Sequence, residues 1–112
     1  MPDQMVFDDK LAEIVRRILS VSDPQQIILF GSYARGDYGP DSDVDLLVVM
    51  EGVDAPRAES TRLRRALRGV MTPVDVIVAT PVQLARHRQT AGLIYSSALA
   101  DGKVLYERPT AV

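Results

Sequence analysis

Apolar positions recur along the chain with two different periods, and the switches between them mark out the elements. Leu11, Ile14, Val15, Ile18 and Leu19 fall at spacings of three and four, which predicts an amphipathic helix. Asp8 and Asp9 stand at its expected start, the positive end of its dipole, and Ser22-Asp23-Pro24 stops it. Ile27-Ile28-Leu29-Phe30 is too short for a helix and is bounded by Pro24 and Gly31, so Gln26 to Phe30 reads as a buried strand. Gly31 to Ser42 holds three glycines and a proline and predicts a loop with at most one helical turn. A second strand follows over Asp43 to Met50, closed by Gly52. A helix from about Ala55 to Val70 carries Leu63, Leu67 and Val70 on one side and Arg57, Arg64, Arg65 and Arg68 on another. Pro73 to Thr80 reads as a third strand. Pro81 opens a last helix that Leu84, Ala91, Ile94 and Ala98 carry toward Gly102, and Lys103 to Tyr106 adds a short final strand.

This order predicts an α/β (α+β) fold: a small mixed sheet of three to four strands packed with about three to four helices. The first two strands are separated by too few residues for a crossover helix and should pair antiparallel. The second and third are joined through a helix and should run parallel, in a right-handed crossover. Asp43 and Asp45 then lie at the start of one strand and Asp75 near the start of its parallel neighbour. All three acids are expected at one end of the sheet.

That convergence is the candidate chemistry. Asp43 and Asp45, two apart on a strand, face the same way at roughly 6–7 Å. Ionised carboxylates this close repel one another, and a divalent cation between them removes the repulsion; oxygen ligands favour magnesium or manganese. Asp75 interrupts the otherwise apolar Val74-Asp75-Val76-Ile77-Val78, where an unpaired buried carboxylate costs several kcal/mol or more. A metal shared with the other two aspartates compensates it. Upstream, Gly31 lets the backbone come close to a phosphate, the Ser32 hydroxyl and nearby N–H groups can bind its oxygens, and Arg35 adds positive charge. A phosphate cradle beside three acids points to in-line phosphoryl chemistry with two metals about 3.5–4 Å apart. Each feature also has a plain structural reading: Gly-Ser as a turn, Asp-x-Asp as a solvated strand edge, and Asp75 as the partner of an arginine from the Arg57–Arg68 helix. It is their joint occurrence that favours the chemistry.

Composition narrows the classes. The chain of 112 residues fits one core, and 46% hydrophobic and 25% charged residues are ordinary for a globular protein. Its 13 basic and 15 acidic residues give a net charge of −2, so no global charge favours nucleic acid, and direct nucleic-acid binding is not expected. The absence of cysteine removes disulfides, thiol catalysis and cysteine-ligated zinc. No apolar run approaches the roughly 18 residues of a membrane span, and Met1 to Lys10, with three acids, does not read as a signal peptide. A cytoplasmic protein is the expectation.

The segment from Gly31-Ser32-Tyr33-Ala34-Arg35-Gly36 through Ser42-Asp43-Val44-Asp45-Leu46 resembles the signature of the DNA-polymerase-beta-like nucleotidyltransferases. It reads Gly-Ser, ten residues, Asp-x-Asp, and then an isolated third Asp in a later apolar strand. In size the chain is similar to the minimal nucleotidyltransferases of that superfamily, a resemblance covering roughly residues 7 to 107 and implying a single such domain over 1–112. It implies that Asp43 and Asp45 bind both metals and that Asp75 binds one and helps deprotonate the attacking hydroxyl. Gly31 and Ser32 would hold the triphosphate of ATP, with a looser role for Arg35. The cofactor implied is two Mg2+ ions, with Mn2+ as a substitute. Many minimal nucleotidyltransferases resemble the antitoxin of a pair with a helical HEPN-domain ribonuclease toxin, which they silence by moving AMP from ATP onto a toxin tyrosine. A HEPN-type toxin is therefore the implied partner, in a hetero-oligomer.

Other residues are read more plainly. His87, the single histidine, lies in the polar Arg86-His87-Arg88 and gets no catalytic role. The arginines of the middle helix read as a solvated face, or as a contact surface for an acidic partner or nucleotide phosphates. Tyr33 and Tyr38 flank the loop, placed either to stack on a base or to pack, and Asp37 and Asp41 are loop formers. Two other functions compete with protein modification: a non-catalytic module of the same fold that masks its partner, and transfer to a small molecule such as an antibiotic. The last ranks lowest because no second domain is evident to form an acceptor pocket.

Overall fold

The computed structural model describes residues 2–39, 42–87 and 102–109. In chain order it contains α1 (Pro2–Val21), β1 (Gln26–Phe30), α2 (Ser32–Arg35), β2 (Val44–Val49), α3 (Pro56–Ala66), β3 (Val74–Ala79), α4 (Pro81–His87) and β4 (Lys103–Glu107). The four strands form one mixed sheet in the order β3-β2-β1-β4. β1 pairs antiparallel with both β2 and β4, while β2 and β3, joined through α3, run parallel. The element order and strand directions match the sequence expectation, including the short last strand, which takes a sheet edge beside β1.

Two boundaries differ. α1 begins at Pro2, so Asp8 and Asp9 sit within it and not in its first turn. Nothing between Pro2 and Asp8 breaks a helix, and proline is suited to the first helical position. α3 stops at Ala66, earlier than expected, because the chain turns through Leu67 to a left-handed Gly69. The expected continuation of α4 through Ala91, Ile94 and Ala98 lies outside the described residues, as do Asp41, Arg88 and the side chain of His87.

The sheet separates two apolar layers. On one face Leu11, Ile14 and Ile18 of α1 and Leu63 of α3 close over Ile27, Leu29, Leu46, Val48, Val76 and Val78. On the other, Ile28, Phe30, Leu47, Val49 and Ala79 cluster with Leu84 of α4. β2 is buried on both faces, which accounts for its unbroken run Leu46-Leu47-Val48-Val49. α1 and α3 also cap one another. The Arg17 guanidinium donates to the Arg68 carbonyl beyond the end of α3, and Arg62 donates to the Val21 carbonyl at the end of α1, at 2.7 Å. Each arginine thus meets carbonyls that a helix terminus leaves without an internal partner. No helix among the described residues is long and apolar enough to cross a membrane.

Arg62 is fixed in turn by Glu59, its Nε donating to Oε1 at 3.0 Å. That hydrogen bond, with the charge of Arg62, holds the Glu59 carboxyl below its ordinary range against the opposing effect of burial. A lowered carboxylate pKa contributes stability above the ordinary glutamate range and loses it as pH falls. Glu59→Gln is expected to lower the melting temperature at pH 7, by the equivalent of at most about 1 kcal/mol for a pair this exposed. The two melting curves should converge only once the pH has fallen well below the ordinary glutamate range; a difference that persists in strong acid would place the effect in packing instead.

Candidate active site

The site begins where β1 ends. Phe30, the last residue of β1, is the Cα partner of Asp45 in β2. The chain leaves β1 through Gly31 at φ 74° and ψ −155°, a region open almost only to glycine. A Cβ there would overlap the Asp45 Oδ2 atom and lie 3.2 Å from Cγ. The turn requires glycine, and the space a Cβ would take is filled by the end of the Asp45 carboxylate, which would have to shift for a larger residue. The turn continues as α2, where the Gly31 carbonyl accepts the Ala34 and Arg35 N–H groups, each at 3.1 Å. The Ser32 N–H opens this turn, where helix geometry offers no internal acceptor. Tyr33 and Ala34 anchor it in the core, and left-handed Gly36 ends it, donating its N–H to the Ser32 carbonyl at 2.9 Å.

The parallel pairing of β2 with β3 sets the acids. Asp45 and Asp75 are direct register partners, so their side chains stand beside each other on one face, with strands about 4.8 Å apart. Asp43, exposed just ahead of β2, precedes Asp45 by two. The register is bracketed by the Val44 N–H donating to the Pro73 carbonyl and the Met50 N–H to the Ala79 carbonyl, both at 2.9 Å. Burial, then the charges of Asp75 and Asp43, push the Asp45 carboxyl above its ordinary range, and Arg35 partly offsets them. That end of the sheet is short of positive charge.

Asp75 departs from expectation. Its side chain is 48% exposed and paired with Arg64, whose Nη2 lies 3.0 Å from Oδ1. It is neither deeply buried nor unpaired. The reason is its place on β3, the strand at the sheet edge, with α3 alongside. The plain reading, an arginine of the middle helix as partner, therefore holds for Asp75, and Arg64 is more than part of a solvated face. Among the described residues no three His, Cys, Asp or Glu side chains are gathered into a ready metal cage. The donor chemistry nonetheless suits a hard divalent cation: three carboxylates at one end of one sheet, with Asp45 already disfavoured in its ionised form.

The remaining loop residues engage one another. Tyr33 and Tyr38 stack on one another, ring centroids 4.3 Å apart and planes within 5°, with Tyr33 buried and Tyr38 on the outside. Arg35 reaches Asp37 at 3.3 Å. One contact had no signal in the sequence. The Ser60 hydroxyl accepts the outward-facing Val78 N–H at 3.1 Å and so pins α3 to the open edge of β3.

A family model described as the nucleotidyltransferase domain matches residues 8–95. The chain belongs to that family. This nucleotidyltransferase is 27% identical to a structure described as a candidate nucleotidyltransferase from Sulfolobus solfataricus, with a TM-score of 0.65 over 94% of this chain and 84% of the other. Its fold is also that of a toxin–antitoxin assembly solved with AMP-PNP, at a TM-score of 0.59 and 22% identity over 89% of this chain and 73% of that one. Two Methanocaldococcus jannaschii relatives, MJ0604 and MJ0141, are described as candidate protein adenylyltransferases. They are 68% identical over 25 residues and 42% identical over 43 residues, 22% and 38% of this chain. The matched stretches span only 25% and 43% of those relatives' lengths.

Two tests follow from this geometry. Gly31→Ala is expected to destabilise the fold by about 1–3 kcal/mol for the backbone strain, and by more for the overlap with Asp45. In denaturant titrations the overlap part should vanish in an Asp45→Ala background; strict additivity of the two changes would disprove the contact. Because the Asp45 pKa is raised, its ionisation lowers metal-free stability as pH rises through the carboxylate range. Asp45→Asn should therefore melt higher than the wild type at pH 7 in chelator, with no gain once the pH lies below that range. A lower melting temperature at pH 7 would refute the charge deficit.

Proposed function

We propose that this chain moves AMP from ATP onto a hydroxyl of a partner protein, a tyrosine of a HEPN-type toxin, and so acts as the antitoxin of the pair. The observation that carries this reading is the register of Asp45 beside Asp75, directly against the Gly31 turn. The adenylyltransferase description of the two archaeal relatives and the toxin–antitoxin likeness support it, the latter for the fold alone. A single domain acting in the cytoplasm belongs to the same reading.

In this reading Gly31 and Ser32 hold the triphosphate, with Arg35 lending charge beside it. Asp43, Asp45 and Asp75 hold two divalent ions, magnesium with manganese as substitute. Such ions would neutralise charge on the transferring phosphoryl group and the departing pyrophosphate. Asp75 takes the proton of the acceptor hydroxyl, whose oxygen bonds to the α-phosphorus as the bond to the β-phosphate oxygen breaks and pyrophosphate leaves. The rest of the rate comes from positioning and fixed charge.

A second reading has one observation in its favour: Asp75 is already engaged by Arg64, as it would be in a module that neutralises its toxin by masking alone. Calorimetric titration with ATP and magnesium, followed by transfer of labelled AMP to the co-expressed toxin, separates the two. Under the catalytic reading, binding requires magnesium and is lost in Asp43→Ala/Asp45→Ala. Transfer should fall at least about a hundredfold in each of the three single alanine variants. Neutralisation unaffected by ATP, magnesium or the three aspartates would establish masking and overturn catalysis.

A further inference from the structure

Arg64 reaches Asp75 through a rigid route. Leu63, its neighbour in α3, is fully buried, and Ser60, one helical turn earlier, holds the Val78 N–H of β3 at 3.1 Å. Residues 60 and 64 share a helix face, so pinning Ser60 to the strand edge also lays Arg64 over it. There one nitrogen, Nη2, donates both to Asp75 Oδ1 at 3.0 Å and to the Val76 carbonyl at 3.2 Å. Val76 and Val78 direct these backbone groups outward, away from β2, and α3 meets both. The guanidinium, though half-exposed, is therefore held by two acceptors of β3 through one nitrogen.

Among the three aspartates, Asp75 is the one with a direct ion pair in the described structure. Asp43 and Asp45, its neighbours at that end of the sheet, have no such ion pair among the described residues. A divalent cation arriving between these acids meets two carboxylates without an ion-pair partner and one already engaged.

We propose that Arg64 is a built-in counter-ion that holds Asp75 in the metal-free protein, so that a divalent cation must compete with it for that carboxylate. Asp75 joins the metal site only as Arg64 releases it. The inference rests on the metal-binding reading given under Proposed function. It makes Arg64 a positioning residue that sets when the third carboxylate becomes available to a cation, and to the hydroxyl proton it would accept.

The test is the dissociation constant for Mn2+ alone, read by electron paramagnetic resonance of the full chain, with circular dichroism to confirm folding. The ion pair is half-exposed, so its removal in Arg64→Gln is expected to tighten Mn2+ binding about two- to fivefold. Arg64→Lys, which keeps the charge but not the planar fork, should fall between wild type and Arg64→Gln. In an Asp75→Asn background Arg64→Gln should produce no tightening. Unchanged or weaker binding by folded Arg64→Gln would overturn the proposal, as would a gain that survives Asp75→Asn. Asp43→Asn/Asp45→Asn separates the two levels. If wild-type Mn2+ binding does not depend on these residues, the metal reading fails and this inference fails with it. If it does depend on them and Arg64→Gln is neutral, the inference alone fails.

Discussion

The pairing register of β2 is the constraint on which the site depends. β2 is the interior strand between an antiparallel and a parallel neighbour, and its apolar run is buried on both faces. One register sets Asp45 against the end of β1 and beside Asp75 of β3 at once. A slip of one residue would reverse the faces and turn Asp45 toward the layer covered by α1 and α3. The hydrophobic burial that fixes β2 is therefore also what brings acidic side chains together against their mutual repulsion. Core packing supplies the force and the carboxylates absorb the strain, visible in the raised Asp45.

Gly31 adds a second constraint at the same place. Its backbone is strained for any other residue, and its missing side chain leaves the space that the Asp45 carboxylate occupies. The turn that would face a phosphate and the acid that would face a cation therefore lie close against one another.

α3 ties the two sides of the molecule together. Through Leu63 it fills the core, through Arg62 it caps α1, and through Ser60 and Arg64 it engages the outward Val78 N–H and Val76 carbonyl of the edge strand β3. An edge strand with an outward N–H and carbonyl so engaged offers less to an incoming strand. The same helix thereby places a cation on the third aspartate, so the protection of an edge and the electrostatics of the site share one element.

Much of this was legible in the chain itself. Period-two and period-3.6 patterns located the strands and helices, and the length of each connection decided antiparallel from parallel pairing. From these the meeting of Asp43, Asp45 and Asp75 at one end of the sheet follows, because strand direction and position within a strand are local properties. The environment of Asp75 did not follow. An acid within an apolar run looks buried, but β3 lies at the edge, and only the packing of α3 decides which arginine reaches it and how much solvent remains. The pairing of Tyr33 with Tyr38 and the closeness of Gly31 to Asp45 were settled in the same way. Periodicity reports which face a residue takes, whereas the distance between side chains on different elements depends on how those elements pack in three dimensions.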